Sequence, residues 1–154
     1  MSHFLRFEVN LKVNIFAKIV EIQQFNKVTY YSVKLENVAY SEFEDFINRH
    51  ANNVEVEEEY QYIISLIQQI GENIGAKKRY FRHEQRAEAL PPPAKLIEID
   101  YNNNLRLYCM RVCDSIVILF NGGIKSKEAK TAQECLVVKP HFDLANKLVK
   151  KLMN

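Results

Sequence analysis

The chain has 154 residues, of which 47% are hydrophobic and 26% are charged, and its formal net charge is +2. A chain of this length buries roughly two thirds of its unfolded surface, so it can form a core without a disulfide or a structural metal. Three cysteines without a CxxC pair, four scattered histidines and the lack of an apolar run near ~18 residues argue against a disulfide framework, a zinc site and a membrane span. The sequence therefore predicts one soluble, cytoplasmic domain over residues 1–154, with no cofactor and no metal.

Charge is distributed unevenly along the chain. Residues 36–60 contain eight acidic residues and one basic residue, whereas residues 101–154 contain nine basic and four acidic residues. Residues 77–88 add five basic residues against two acidic ones. Clustered lysines and arginines attract phosphates independently of base sequence, so this pattern favours an anionic partner. Charge alone leaves a second interpretation open, namely two solvated faces of opposite sign.

The N-terminal region has the pattern of β-structure. Apolar and polar residues alternate from Leu5 to Ile15, which predicts a strand with one solvated face. The alternation blurs from Ile19 to Ile22, where we expect a bulge or a bend. A second β-rich run, from Val28 to Leu35, is close enough to return as a hairpin partner. Residues 1–26 are therefore predicted to be a β extension, and residues 27–154 the core of the domain.

Two helices are predicted next. Ser41 and Glu44 have the spacing of a capping box, which predicts a helix from Glu42 to His50. A longer helix should begin near Asn52 or Asn53, because acidic residues fill its first turn, and Gly75 is a natural stop. Its apolar stripe consists of Tyr60, Ile63, Ile64, Ile67, Ile70 and Ile74. The two helices are expected to form a hairpin that packs on the sheet.

The C-terminal half has the pattern of a meander followed by a helix. Residues 77–90 predict a strand and a turn, before three prolines at 91–93. The runs KLIEID, LRLYCMRV and SIVILF predict antiparallel strands, and the third should be central because it lacks polar alternation. A Lys-rich loop is expected after Asn121-Gly122-Gly123, and Pro140 then opens an amphipathic helix. The predicted fold class is α+β, with an antiparallel-rich twisted sheet, a helical hairpin and a C-terminal helix.

Candidate chemistry concentrates on the meander, because the chain has no serine-hydrolase, phosphate-loop or dinucleotide motif. Strand alternation places Arg106, Tyr108 and Met110 on one face and Leu107, Cys109 and Arg111 on the other. Arg106 and Tyr108 can then act together. The same spacing also allows a plainer interpretation, in which Arg106 neutralises a neighbouring glutamate and Tyr108 belongs to the core.

The segment RLYCMRVCDSIVILFNGGIK, Arg106 to Lys125, resembles the RelE/ParE-type toxin superfamily, in particular its RelE/HigB-type members. It has that family's pattern of an Arg-bearing strand, a tight turn, an apolar strand ending in Gly and a Lys/Arg cluster. The following KSKEAKTAQE and the closing helix are similar to the basic segment that leads into the family's last helix. YYSVKLENVAYSEFEDFI and the Ile-striped helix resemble its first strand and helical hairpin. The resemblance covers residues 28–152, and residues 1–26 are extra to it.

The resemblance implies a phage-derived type II toxin, held in check by a cognate antitoxin protein, that cleaves messenger RNA on the ribosome without metal. By this resemblance Arg106 stabilises the phosphate, Lys125 or Lys127 does likewise or serves as a base, and Tyr108 or His83 moves a proton. The implied RNA contacts are Lys77, Lys78, Arg82, His83 and Lys130. Two alternatives stay open: a non-catalytic binding module of mobile-element origin with the same fold, and a gyrase inhibitor of the ParE type.

Overall fold

The structure, a computed structural model, describes residues 2–8, 14–93, 104–125 and 135–153. Within these residues, seven strands form one sheet in the order β1-β2-β3-β7-β6-β5-β4. Every neighbouring pair is antiparallel except β3 and β7, which are parallel. The strands are β1 (Ser2–Glu8), β2 (Asn14–Gln24), β3 (Thr29–Leu35), β4 (Arg82–Glu84), β5 (Ala87–Leu90), β6 (Asn104–Cys113) and β7 (Ile116–Lys125). The predicted class, α+β with a mostly antiparallel sheet, is confirmed.

The N-terminal β unit contains one strand more than the sequence predicts. The expected strand from Leu5 to Ile15 is wrong, because the chain reverses between β1 and β2, and Phe7 pairs with Ile15. An alternation of apolar and polar residues can continue across a chain reversal, so the sequence pattern could not reveal this reversal. The expected irregularity is confirmed as a register shift between Glu21 and Gln23. Because β2 pairs with β3, the N-terminal strands extend the same sheet.

Helices α1 (Glu42–His50) and α2 (Glu57–Gln69) cover one face of the sheet. The capping box of α1 is present: the Glu44 amide donates to Ser41 Oγ at 3.2 Å, and the Ser41 amide donates to Glu44 Oε1 at 3.1 Å. A 3₁₀ turn precedes α2 and a π turn follows it, ending at Gly75 with φ of 91°. The predicted stripe packs against β3, β6 and β7 through buried Tyr60, Ile63, Ile67 and Ile70.

Strands β6 and β7 form the predicted antiparallel pair, with Asp114 and Ser115 in the turn. β7 is central, and its side chains alternate between two buried clusters, Val117 and Leu119 on the α1–α2 face and Ile118 and Phe120 on the opposite face. The sequence predicts a loop directly after Asn121-Gly122-Gly123, but this position is wrong, because β7 continues to Lys125. Paired backbone on β6 keeps these residues in the sheet despite their low strand propensity.

The remaining elements lie at the other end of the sheet. The predicted strand and turn over residues 77–90 is instead a short 3₁₀ turn followed by the hairpin of β4 and β5. Helix α3 (Lys139–Leu152) has Pro140 in its first turn and covers the face opposite to α1 and α2. The expected strand over residues 95–100 lies outside the described residues.

In the part of the chain that the structure describes, no helix is both long enough and apolar enough to cross a bilayer.

Glu42, in the first turn of α1, gives a prediction for stability. Burial, with repulsion from Asp45, raises the pKa of Glu42 to about 7, although Arg49 opposes the shift. The folded state therefore favours the protonated acid, and its stability falls as pH rises from about 4.5 through 7. We expect Glu42→Gln to stabilise the protein at pH 8 by roughly 2–3 kcal/mol, and the gain to shrink steadily towards pH 5. Thermal unfolding of both proteins between pH 5 and pH 8 measures this gain in stability.

The matched control is Glu58→Gln, which changes an exposed carboxylate in the first turn of α2. It removes the same charge from an equivalent helix position without changing a buried group. Equal gains at pH 5 and pH 8 for Glu42→Gln, or an equal response of the two variants, would contradict the assignment of a buried, protonated Glu42.

Candidate phosphate-binding site

Arg106 lies on β6 on the same face as Tyr108, as strand alternation predicts, and α3 covers this face. Leu105 and Leu107, the neighbours of Arg106, belong to the α1–α2 core, whereas Tyr108 belongs to the α3 core. The Arg106 residue is only 7% exposed. Its Nε lies 3.9 Å from Glu84 Oε1 and makes no hydrogen bond within the described part of the chain. A buried guanidinium therefore retains an unused donor.

Arg82 and Glu84 on β4 share this face. They pair with Ala89 and Ala87, whose side chains belong to the α3 core. Arg82 Nη2 donates to the Pro92 carbonyl at 3.2 Å, while Arg82 Nε is buried without a partner among the described residues. Burial raises the pKa of Glu84, although attraction to Arg106, Arg82 and Lys125 opposes the shift. Among the described residues, the carboxylate of Glu84 therefore lies within the electrostatic influence of Arg106, Arg82 and Lys125.

Lys125, near the end of β7, completes the group. It pairs with Asn104 across the ladder, two positions from the Arg106–Gly123 pair, so Lys125 and Arg106 are diagonal neighbours. Burial lowers the pKa of Lys125, and repulsion from Arg106 lowers it further. Burial also lowers the pKa of Arg106 to about 10, with Arg82 contributing. We define the cationic cluster as Arg82, Glu84, Arg106, Tyr108 and Lys125.

Tyr108 lies at the base of the cationic cluster. It is fully buried, its ring meets that of Phe142 in α3 edge-on with centroids 5.9 Å apart, and its hydroxyl has no hydrogen-bond partner among the described residues. Burial raises the pKa of Tyr108, so the phenol stays protonated and can donate but cannot serve as a base. The plainer interpretation from sequence is thus met in two respects: Arg106 faces a glutamate, and Tyr108 is a core residue.

Of the predicted RNA contacts, Arg82 belongs to the cationic cluster, whereas Lys77, Lys78 and His83 lie apart from it. Lys77 forms an ion pair with Asp114 at 2.6 Å, at the turn between β6 and β7. Lys78 and His83 line a cleft on the opposite face, because His83 alternates with Arg82 along β4. Lys127 and Lys130 lie outside the described residues. Of the predicted catalytic set, Arg106, Tyr108 and Lys125 are brought together.

Glu84 is the member of the cationic cluster that the sequence interpretation missed. In the sequence, Glu84 is one of two acidic residues within the basic segment 77–88. Its signal was the two-residue spacing from Arg82, which places both side chains on one face of a strand. The sequence could not reveal that this face is covered by α3 and lies beside Arg106, since β4 and β6 are joined only through β5.

A second polar cluster joins α1 to β7, and its groups are largely paired. Asp45 Oδ2 accepts from Arg49 Nε at 2.9 Å and from Asn121 Nδ2 at 2.8 Å. Arg49 Nη2 donates to the Gly122 carbonyl at 2.7 Å and to Asn121 Oδ1. Burial, with repulsion from Arg49, lowers the pKa of His50 to about 4, so its ring is neutral. These contacts fix α1 on the sheet and explain why Asn121 is buried.

The cationic cluster can bind an anion and supply a carboxylate for proton transfer. Its cations outnumber its carboxylates, and two guanidinium donors and one hydroxyl lack partners among the described residues. A phosphate would supply both the missing charge and the missing acceptors. The resemblance of residues 106–133 to a toxin family remains a prediction, because no protein-family model, no curated protein and no solved structure matches this chain.

Proposed function

We propose that this protein is a metal-independent endoribonuclease that binds the scissile phosphate of RNA in the cationic cluster. One observation carries the proposal: Arg82 and Arg106 converge on Glu84, and the Nε atom of each guanidinium has no hydrogen-bond partner among the described residues. Structural ion pairs are usually balanced, because an uncompensated buried charge is costly. Buried guanidinium donors without partners among the described residues favour a site that is completed when an anion is bound.

The reaction can be assigned to these residues. Glu84 takes the proton from the ribose 2′-hydroxyl, since burial shifts its pKa upward towards that of an effective base. The 2′ oxygen then bonds to phosphorus as the bond to the 5′ oxygen breaks. Arg106 stabilises the extra negative charge in the transition state, and Lys125 gives a proton to the leaving 5′ oxygen. The products are a 2′,3′-cyclic phosphate and a 5′-hydroxyl.

Access to the cationic cluster comes from its less buried members. Arg106 is almost covered, but Arg82 and Lys125 are each half-buried and so reach solvent. A phosphate that entered beside Arg82 and Lys125 would contact Arg106, and the Tyr108 hydroxyl could donate a hydrogen bond to it. The family resemblance adds that the substrate is messenger RNA on the ribosome and that a cognate antitoxin controls the activity.

The test is cleavage of RNA by the purified protein in EDTA, with and without ribosomes, compared with Glu84→Gln. We expect products with 2′,3′-cyclic phosphate ends, and a fall in kcat of about 10²- to 10⁴-fold in Glu84→Gln. Binding should weaken steeply as salt rises, because bound cations release counterions. Induced expression should arrest growth with loss of messenger RNA.

A non-catalytic binding module is the second candidate, and the pairing of Arg106 with Glu84 favours it. It predicts that wild type and Glu84→Gln both bind RNA or another polyanion and that neither cleaves it. Absence of RNA binding at low salt, with ribosomes present as well as absent, would overturn the ribonuclease proposal.

A further inference from the structure

A cleft of about 370 Å³ lies on the face of the sheet opposite to the cationic cluster. We call it the edge cleft, because it opens beside β4, the last strand of the described sheet. Its lining residues are Lys78, Phe81, His83, Arg86, Glu88 and Arg111. Its volume is in the range of small-molecule sites, which start near 300 Å³, so it can hold one nucleotide but not a folded partner.

The edge cleft is positively charged. Lys78, Arg86 and Arg111 face one carboxylate, Glu88, whose Oε1 accepts from the Arg111 amide at 2.9 Å. The Arg111 side chain also pairs with Asp114 at 2.9 Å, and its Nε is buried without a hydrogen-bond partner within the described residues. Lys78, Arg86 and His83 are exposed, so a ligand can reach them directly.

The edge cleft also contains the exposed ring of His83, while Phe81, which lines the cleft as well, is 7% exposed and belongs to the α1–α2 core. Single-stranded RNA is recognised by such combinations, with rings against bases and cations against phosphates. A carboxylate among the cations can accept a hydrogen bond from a base amino group or a ribose hydroxyl, which a bare phosphate cannot offer. The chemistry of the edge cleft therefore fits a nucleotide of a strand better than a free inorganic anion.

Strand β4 connects the two sites. Arg82 and His83 are consecutive, and their side chains point to opposite faces of the sheet, Arg82 into the cationic cluster and His83 into the edge cleft. β4 is the last strand of the described sheet, and a polynucleotide that passed its edge would contact both faces. Such a strand would have one phosphate in the cationic cluster and a nearby nucleotide in the edge cleft.

We propose that the edge cleft is a second RNA subsite, which binds a nucleotide near the scissile phosphate on a strand that wraps around β4. The inference rests on the proposed function, and it adds a length requirement. A dinucleotide fills only the cationic cluster, whereas a longer strand fills both sites. The edge cleft then contributes to the affinity for long RNA and to none of the affinity for a dinucleotide.

The test measures binding of a 2′-O-methyl dinucleotide and a 2′-O-methyl octanucleotide, which cannot be cleaved, to the full chain. The variant is the double substitution Lys78→Ala with Arg86→Ala. Its control is Lys27→Ala with Lys151→Ala, which removes two exposed lysines that do not line the edge cleft. The Arg86 backbone amide keeps its 2.7 Å hydrogen bond to Asn146 Oδ1, because only the side chain is changed.

We expect the cleft variant to bind the octanucleotide about tenfold more weakly and the dinucleotide as the wild type does. Its salt slope for the octanucleotide should fall by about 1.4, since a single-stranded contact contributes about 0.7. The control should change neither affinity by a comparable amount. Unchanged octanucleotide binding by the cleft variant, or an equal loss for both lengths, would overturn the edge cleft as a subsite.

The two proposals fail in different ways. Octanucleotide binding that depends on Lys78 and Arg86, without cleavage of ordinary RNA, would support the edge cleft and overturn the ribonuclease. Cleavage with no dependence of binding on Lys78 and Arg86 would do the reverse. Wild-type protein that binds neither oligonucleotide at low salt would overturn both.

Discussion

Replacing Arg106 with alanine is expected to reduce RNA cleavage by roughly thirtyfold to a thousandfold, because a donor to the transition-state phosphate contributes on the order of 2–4 kcal/mol. Arg106 is a candidate site residue in the sequence and a member of the cationic cluster in the structure. It carries the family resemblance, it shares a face with Tyr108, and it neighbours Glu84 and Lys125. The effect should appear in kcat, since Arg82 and Lys125 still bind the ground-state phosphate.

The stability of this variant needs separate measurement because Arg106 is buried. Loss of the side chain leaves unfilled space, which destabilises the fold, but it also removes one charge from a cluster with surplus positive charge. We expect these effects to oppose each other and to leave a loss of about 1–2 kcal/mol, so Arg106→Ala should still fold. Thermal unfolding and cleavage should be measured on the same preparations.

Two further variants make the result specific. Arg106→Lys keeps the charge but loses the forked donors, so it should recover only part of the activity. Arg79→Ala removes an exposed arginine that lies over the Tyr80 ring, 4.8 Å from its centroid, and should cleave as the wild type does. A folded Arg106→Ala protein with full activity would remove Arg106 from the site. Unfolding of both Arg106 variants would show that its role is structural.

Substituting Gly122 with alanine is expected to destabilise the protein by at least about 3 kcal/mol, because no space exists for a methyl group. A Cβ at Gly122 would lie 1.8 Å from the Arg106 carbonyl oxygen and 2.8 Å from its carbonyl carbon. Both atoms belong to the backbone of β6, so no side-chain rotation relieves the clash. The two strands that hold Arg106 and Lys125 would have to separate.

The adjacent glycine provides the matched control. A Cβ at Gly123 has its nearest contacts with the side chains of His141 at 3.7 Å and Val138 at 3.9 Å, which are ordinary van der Waals distances. Gly123→Ala should therefore change the free energy of unfolding by less than about 1 kcal/mol. Denaturant titration of the two variants measures the difference. Similar stabilities would contradict the close approach of β6 and β7 at Gly122.

The sequence by itself determined the elements whose signals are local. The bounds of α1 follow from the Ser41–Glu44 capping box, and α3 follows from Pro140 and its apolar stripe. The two-sided burial of β7 follows from its unbroken apolar run. The shared face of Arg106 and Tyr108 follows from strand alternation. Each of these depends on residues a few positions apart, where backbone geometry fixes the outcome.

Only the tertiary structure decided which distant residues meet. The reversal between β1 and β2 leaves the alternation unchanged, so it could not be read from the pattern. Asn121 remains in β7 because Asp45 and Arg49, more than 70 positions away, bind it there. Glu84 joins the cationic cluster because β5 brings β4 to β6, and α3 then buries that face. Pairing and burial depend on long-range packing, whose energy is set by the whole sheet and not by any one segment.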